Sequence, residues 1–264
     1  MRRSTLASRP LYRHIADQLR DAIRSGRVAP GSQLPTEQEL GERYDVSRNT
    51  VRLALAQLAN EGMISTSPRR GTFVRDRVTL TYHATRWERA DQPPTAESDA
   101  YVSEVREQGR EPRQVFTLRI VSAPVEIAER LRTEEAEPTV VRSLVRYVDG
   151  EPWSLQDSYY PMDLAEGTEL MSPTDIPRGT TRVLAERGHP QVGYVDELTT
   201  RMPTPEEVAA LQLGTGTPVL VYVRTGYTLQ RPVRVTRTVF AGDRNRIIYD
   251  VGDVSAAHQD TTPK

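Results

Sequence analysis

The run Arg48-Asn49-x-x-Arg52 sets two guanidinium groups four residues apart, with an amide beside them. On a helix that spacing puts Arg48 and Arg52 on one face, one turn from each other. A guanidinium can donate paired hydrogen bonds to O6 and N7 of guanine, and it also binds phosphate. The chemistry in prospect is recognition of a duplex, not the making or breaking of bonds.

Local signals around this run say which elements must hold it. Thr36 and Glu39 follow Pro35 with the spacing of a capping box, and Leu40 begins an apolar face that ends near Tyr44. Asp45-Val46 leaves room only for a turn. Ser47 caps a second helix whose Val51, Leu55 and Leu58 form one stripe, stopped by Gly62, so the polar first turn faces away from that stripe. Ile64 to Ser67 and Thr72 to Val74 are short β-prone runs around Pro68-Arg69-Arg70-Gly71, a hairpin with a basic tip. Upstream, Leu11, Ile15, Leu19 and Ile23 recur every four residues until Gly26, ahead of a Pro30-Gly31 turn. Three helices and a hairpin are the parts of a winged helix-turn-helix domain, in which an exposed first turn of the last helix enters a major groove.

Composition narrows the rest. At 264 residues the chain has room for two domains. It has no cysteine, which excludes disulfides and thiolate metal sites. No apolar run reaches the roughly 20 residues that span a bilayer, and Met1-Arg2-Arg3-Ser4 is not followed by a secretory hydrophobic stretch; a cytoplasmic protein with no membrane partner is expected. Residues 1–77 hold 14 arginines and 8 acidic residues, a charge of +6, so the overall −1 leaves −7 on the remainder. A basic front on an acidic body suits a nucleic-acid reader joined to a domain that does not touch DNA. Lys264 is the only lysine, a bias attributable to a GC-rich genome.

Beyond the hairpin, residues 79–96 lose periodicity and include Pro93-Pro94, and are read as a linker that is extended or strand-forming at its start (Val78, Leu80, Tyr82). Residues 97–253 alternate strands with short helices. Strands are expected at Gln114–Val121, Val140–Val148, Trp153–Tyr160, Val192–Arg201, Val219–Leu229, Val233–Phe240 and Arg246–Val251. Helices are expected at Val125–Leu131, Thr180–Arg187 and Pro205–Leu211, the last capped by Thr204. Turns at Asp149-Gly150 and Gln230-Arg231-Pro232 join consecutive strands, which predicts an antiparallel sheet and an α+β class. Glu126-Ile127-Ala128 with Leu131 echoes Glu207-Val208-Ala209 with Leu211, either a duplicated half-domain or coincidence. Residues 254–264 read as a disordered tail.

Pro10-Leu11-Tyr12, Gly26, Gly31-x-x-Leu34-Pro35, Val46-Ser47-Arg48-x-Thr50-Val51-Arg52, Ala54-Leu55, Glu61-Gly62 and Gly71-Thr72-Phe73-Val74 together resemble the GntR family of bacterial transcription regulators. Arg146-x-x-Asp149-Gly150-x-Pro152, Ser158-Tyr159-Tyr160-Pro161, Pro218-Val219-Leu220 with Arg224, and Gly242-Asp243-Arg244 resemble the UTRA effector domain of the HutC subfamily, whose fold is similar to chorismate lyase. The resemblance implies a homodimer on double-stranded operator DNA, with a winged head over residues 1–78 and an effector-binding and dimerisation domain over 97–253. It implies base or phosphate contacts from Arg48 and Arg52, phosphate contacts from Ser47 and Thr50, a role for Asn49 beside them, and a wing at Arg69, Arg70 and Gly71 in the minor groove. Gln38 stands where the family often has arginine and would favour adenine. Arg69 stands where wing tips usually have glycine.

For the effector, the resemblance points to Arg146, Ser154, Gln156, Arg224 and Thr238. Leu144, Gln156, Arg234 and Phe240-Ala241 replace charged or polar groups that phosphosugar-binding members carry, so a less anionic or more apolar effector is expected. His14, His83, His189 and His258 lack ligand spacing, Glu134-Glu135 with Glu137 is a solvated charge run, and Asp196 and Glu197 alternate across a strand. No cofactor and no catalytic set are expected. The reading is a ligand-responsive regulator, most often a repressor in this family. The alternatives are an effector-independent regulator, for instance of plasmid transfer or a local gene cluster, and more remotely a lyase-like enzyme.

Overall fold

The computed structural model describes residues 10–67, 71–75, 79–85, 100–134, 136–214 and 216–251. Its chain divides into two compact units, residues 1–78 with 202–218, and residues 79–201 with 219–264. The linker from residue 86 onward, Arg69, Arg70 and the tail 254–264 lie outside the described residues.

In the first unit α1 spans Leu11–Arg24, α2 Glu37–Tyr44 and α3 Arg48–Asn60, followed by β1 (Ile64–Ser67) and β2 (Gly71–Val74). Ile15, Leu19, Leu40, Val51, Leu55 and Leu58 from the three helices meet Ile64 and Val74 from the hairpin in one core. Each such side chain contributes about 1.5–3 kcal/mol of burial. Leu11, which shares the periodicity of α1, stands at the first position of the helix and is 63% exposed. Thr36 and Glu39 close the capping box read from sequence. Asp45 then takes a left-handed conformation (φ 51), which turns the chain in two residues toward Ser47.

The hairpin gains a third edge where Leu34 N–H donates to Thr72 carbonyl at 2.8 Å and Val74 N–H to Ser32 carbonyl at 2.8 Å. Gly71 suits that position because its φ is +104, a backbone conformation that other residues rarely adopt.

The second unit begins with β3 (Leu80–His83), so the stretch read as a linker starts as a strand. Its partner is the last strand, and the two run parallel, an exception to the antiparallel expectation. After β3 come α4 (Ala100–Glu107), β4 (Pro112–Ser122), α5 (Val125–Leu131), β5 (Pro138–Val148), β6 (Glu151–Pro161), α6 (Met162–Ala165) and a 3₁₀ turn (Glu169–Met171). Then follow α7 (Thr180–Glu186), β7 (Gly193–Arg201), α8 (Pro205–Leu211), β8 (Val219–Tyr227), β9 (Pro232–Ala241) and β10 (Asn245–Ile248).

A six-stranded antiparallel sheet runs in the order β4-β5-β6-β9-β8-β7. It consists of two strand-helix-strand-strand halves, β4-α5-β5-β6 and β7-α8-β8-β9, joined at the central β6–β9 pair. The echo between α5 and α8 is therefore a structural repeat. Both helices end on a left-handed residue, Arg132 (φ 56) and Gln212 (φ 49). The halves differ in where the helix goes. α5 packs against β9, whereas residues 202–218, α8 included, group with the first unit, where Arg75 donates to Thr217 Oγ1 at 3.1 Å. Asp149 and Gly150, both with positive φ, make the β5–β6 turn.

Candidate nucleic-acid interface and effector face

Helix α3 owes its exposed first turn to its cap. Ser47 Oγ accepts the Thr50 N–H at 3.3 Å and shares a 2.9 Å hydrogen bond with Thr50 Oγ1. Val51, Ala54, Leu55 and Leu58 fill the buried side, so Arg48, Asn49 and Arg52 face outward. The side chains of Arg48 and Arg52 are 70% and 60% exposed. Gln38 is exposed on α2, where it donates to Glu42 at 3.0 Å. Among the described residues, this places the positions predicted on α2 and α3 at one end of the helix pair.

Sequence reasoning missed one participant. Glu37, the first residue of α2, accepts from Arg48 Nε at 2.7 Å and from Arg52 Nε at 3.0 and 3.2 Å. Arg48, with Arg52 behind it, holds the Glu37 carboxyl below the usual carboxylate range. One carboxylate thus ties both arginines to the preceding helix.

On the sheet of the second unit, strand alternation puts the five effector candidates on one face. Arg146 pairs with Ser154 across β5–β6, and Gln156 with Thr238 across β6–β9. Tyr222 lies across from Thr238, and Arg224 is two residues further along β8. The α6-to-α7 segment covers one end of the face around Tyr160 and Val140, while β3 and β10 cover the other around Tyr222 and Phe240. Between them Thr238 Oγ1 reaches Gln156 Oε1 at 3.4 Å, and the Arg146 guanidinium sits 4.3 Å from the centre of the Tyr101 ring on α4. Ser154 Oγ is fully buried and has no hydrogen-bond partner among the described residues.

Arg224 is engaged by the protein's own groups. Its Nε and Nη2 donate to Asp196 at 2.7 and 2.8 Å, Nη2 also reaches the Ala84 carbonyl at 2.8 Å, and Tyr194 lies 3.8 Å beneath it. Arg142, not singled out from sequence, is similarly engaged: its buried guanidinium donates to the carbonyls of Leu170, Ser172 and Thr174, the last at 2.6 Å. Burial lowers its pKa from the ordinary arginine value. These two cations hold the framework of the face.

Residues 11–74 match the model of bacterial regulatory proteins of the gntR family, and residues 107–246 match the UTRA domain. The chain belongs to the GntR family. An HTH-type transcriptional regulator of Rhizobium meliloti is 33% identical over 90% of this chain and 93% of its own length. One from Streptomyces coelicolor is 30% identical over 91% and 92%. The HTH-type transcriptional repressor NagR of Bacillus subtilis is 28% identical over 91% and 94%. Among solved structures, a GntR-family transcriptional regulator aligns with a TM-score of 0.61 at 26% identity, covering 92% of this chain and 98% of the other. A GntR head followed by a UTRA domain is the HutC-type architecture, and the matched relatives are regulators, not enzymes. The chain is therefore a DNA-binding transcriptional regulator of GntR–UTRA type, and the lyase-like reading falls away. Among the described residues no helix is long and apolar enough to cross a membrane.

Proposed function

We propose that this regulator is a cytoplasmic homodimeric repressor that reads a pseudo-palindromic operator through α3 and releases it when a small molecule binds the sheet face. The head would be residues 1–78 and the effector domain 97–253. The observation that carries the reading is the exposed Arg48–Arg52 pair at the leading end of α3, oriented by a single acid. Gln38, Ser47, Asn49 and Thr50 complete the contact set, with Gly71 supporting a wing tip that includes Arg69 and Arg70. The ligand meets Arg146, Ser154, Gln156 and Thr238, while Arg224 frames the site. Binding shifts the population toward dimers whose heads no longer match the operator spacing.

Operator titration at fixed salt tests the DNA half of this reading. Arg48→Ala should cost about 1–3 kcal/mol and blur the preference at one base pair per half-site. Unchanged affinity would end the assignment.

A second reading, a regulator that needs no ligand, draws on the engagement of Arg224 and Arg142 by the protein's own groups. It expects no thermal stabilisation from any metabolite pool. A working sensor gains about 2.7 kcal/mol at 100 times Kd.

A further inference from the structure

Two reading arginines do not by themselves say which of their nitrogens will meet the bases. A guanidinium can present its Nε–Nη2 side or its Nη1–Nη2 end. In both Arg48 and Arg52 the Nε–H points into Glu37, and no hydrogen bond of their Nη groups occurs among the described residues. Glu37 is itself well anchored. It follows Thr36, whose backbone N–H donates to Glu39 Oε2 at 2.7 Å in the capping box, so the backbone that carries the carboxylate is fixed at the start of α2. Its side chain is 30% exposed, and its partners are more exposed still. Exposed pairs of this kind contribute little to stability. Geometry and charge are what the arrangement supplies.

We infer that Glu37 is a specificity-determining positioning residue of the DNA-reading surface: it holds Arg48 and Arg52 by Nε so that their Nη ends face guanine O6 and N7. This rests on the operator-reading role of α3 proposed above. The carboxylate has two consequences. It orders two long side chains before DNA arrives, which removes part of the cost of fixing them at the interface. It also reduces the charge of the trio from +2 to +1 (Arg48 and Arg52 against Glu37), which weakens indiscriminate attraction to phosphate. Glu37 thus favours base discrimination at the expense of general affinity.

The test uses the full chain and a preferred duplex selected from a randomised pool. Affinity for that duplex, for versions with each guanine replaced, and for a scrambled duplex is measured over a salt series. Glu37→Gln and Glu37→Ala are made in the wild-type background and in the Arg48→Ala/Arg52→Ala background. In the wild-type background both variants should bind the scrambled duplex more tightly, with a steeper salt dependence. Their ratio of preferred to scrambled affinity should fall about tenfold, with the loss concentrated at one or two guanines. In the background lacking both arginines the same substitutions should leave the ratio unchanged.

A ratio held within about twofold in both variants would overturn the role. So would an equal fall without the arginines, because Glu37 would then act through the fold. A wild-type chain that prefers no duplex would overturn the operator-reading assignment itself, and this role with it.

Discussion

The carboxylate of Asp196 on β7 accepts two hydrogen bonds from Arg224 on the neighbouring β8, at 2.7 and 2.8 Å. Both side chains are more than nine-tenths buried, at 9% and 7% exposure. Removing one partner would strand a charge where water cannot reach it. Asp196→Ala should therefore destabilise the effector domain by about 3–5 kcal/mol, whereas the double substitution Asp196→Leu/Arg224→Met should sit near wild type. Urea unfolding of the three proteins checks this, and a single-variant loss below about 1 kcal/mol would mean that the pair is solvated.

Ser154 presents the opposite case. Its buried hydroxyl lacks a partner among the described residues. A buried polar group left unbonded costs free energy, so Ser154→Ala should hold or raise the urea midpoint of the ligand-free protein. A fall of about 1 kcal/mol or more would show that the hydroxyl is bonded in solution and would remove it from the proposed ligand contacts.

In the head, Arg20 on α1 donates to Glu61 from Nε at 2.8 Å and from Nη2 at 2.6 Å, tying the first helix to the end of the third. Arg20 is the main cause that holds the Glu61 carboxyl below its ordinary range, as Arg48 does for Glu37. A depressed folded-state pKa means that the unfolded chain binds protons first. The stabilisation is complete above the unfolded value of about 4.3 and fades as pH falls through the folded one. Thermal midpoints recorded from pH 6 downward should drop in the acid range, and Glu61→Gln should flatten that drop. A wild-type curve that coincides with the variant's would exclude the linkage.

Ser47 caps α3 through its bond to the Thr50 N–H. Ser47→Ala should cost about 1 kcal/mol of head stability, and Ser47→Asp or Ser47→Asn should recover most of it. Chemical denaturation monitors the stability. Operator titration of Ser47→Asp asks the separate question of phosphate contact, because a carboxylate there caps the helix but repels the backbone. Equal operator affinity for Ser47→Asp and wild type would remove Ser47 from the phosphate contacts.

The sequence by itself settled the elements whose signals are local. The Thr36–Glu39 box, the Ser47 and Thr204 caps, the Val51–Leu55–Leu58 stripe and the strands of the large sheet depend on neighbours within one or two turns or on simple alternation. Family-specific spacings then identified both domains. Helix α4, which carries Tyr101 onto the sheet face and Glu104 against His83 of β3, escaped because no helical signal stood out in that stretch.

Tertiary structure alone decided the pairings. Glu37 meets arginines 11 and 15 residues away only because Asp45 turns α3 back across α2. Arg224 has Asp196 beside it only because β7 pairs with β8 in that register. The repeat hinted at by α5 and α8 became a fact once β6 and β9 paired at the centre of one sheet. Propensity acts over a few residues, while the partner of a charged side chain is chosen by whichever distant strand or helix the fold delivers.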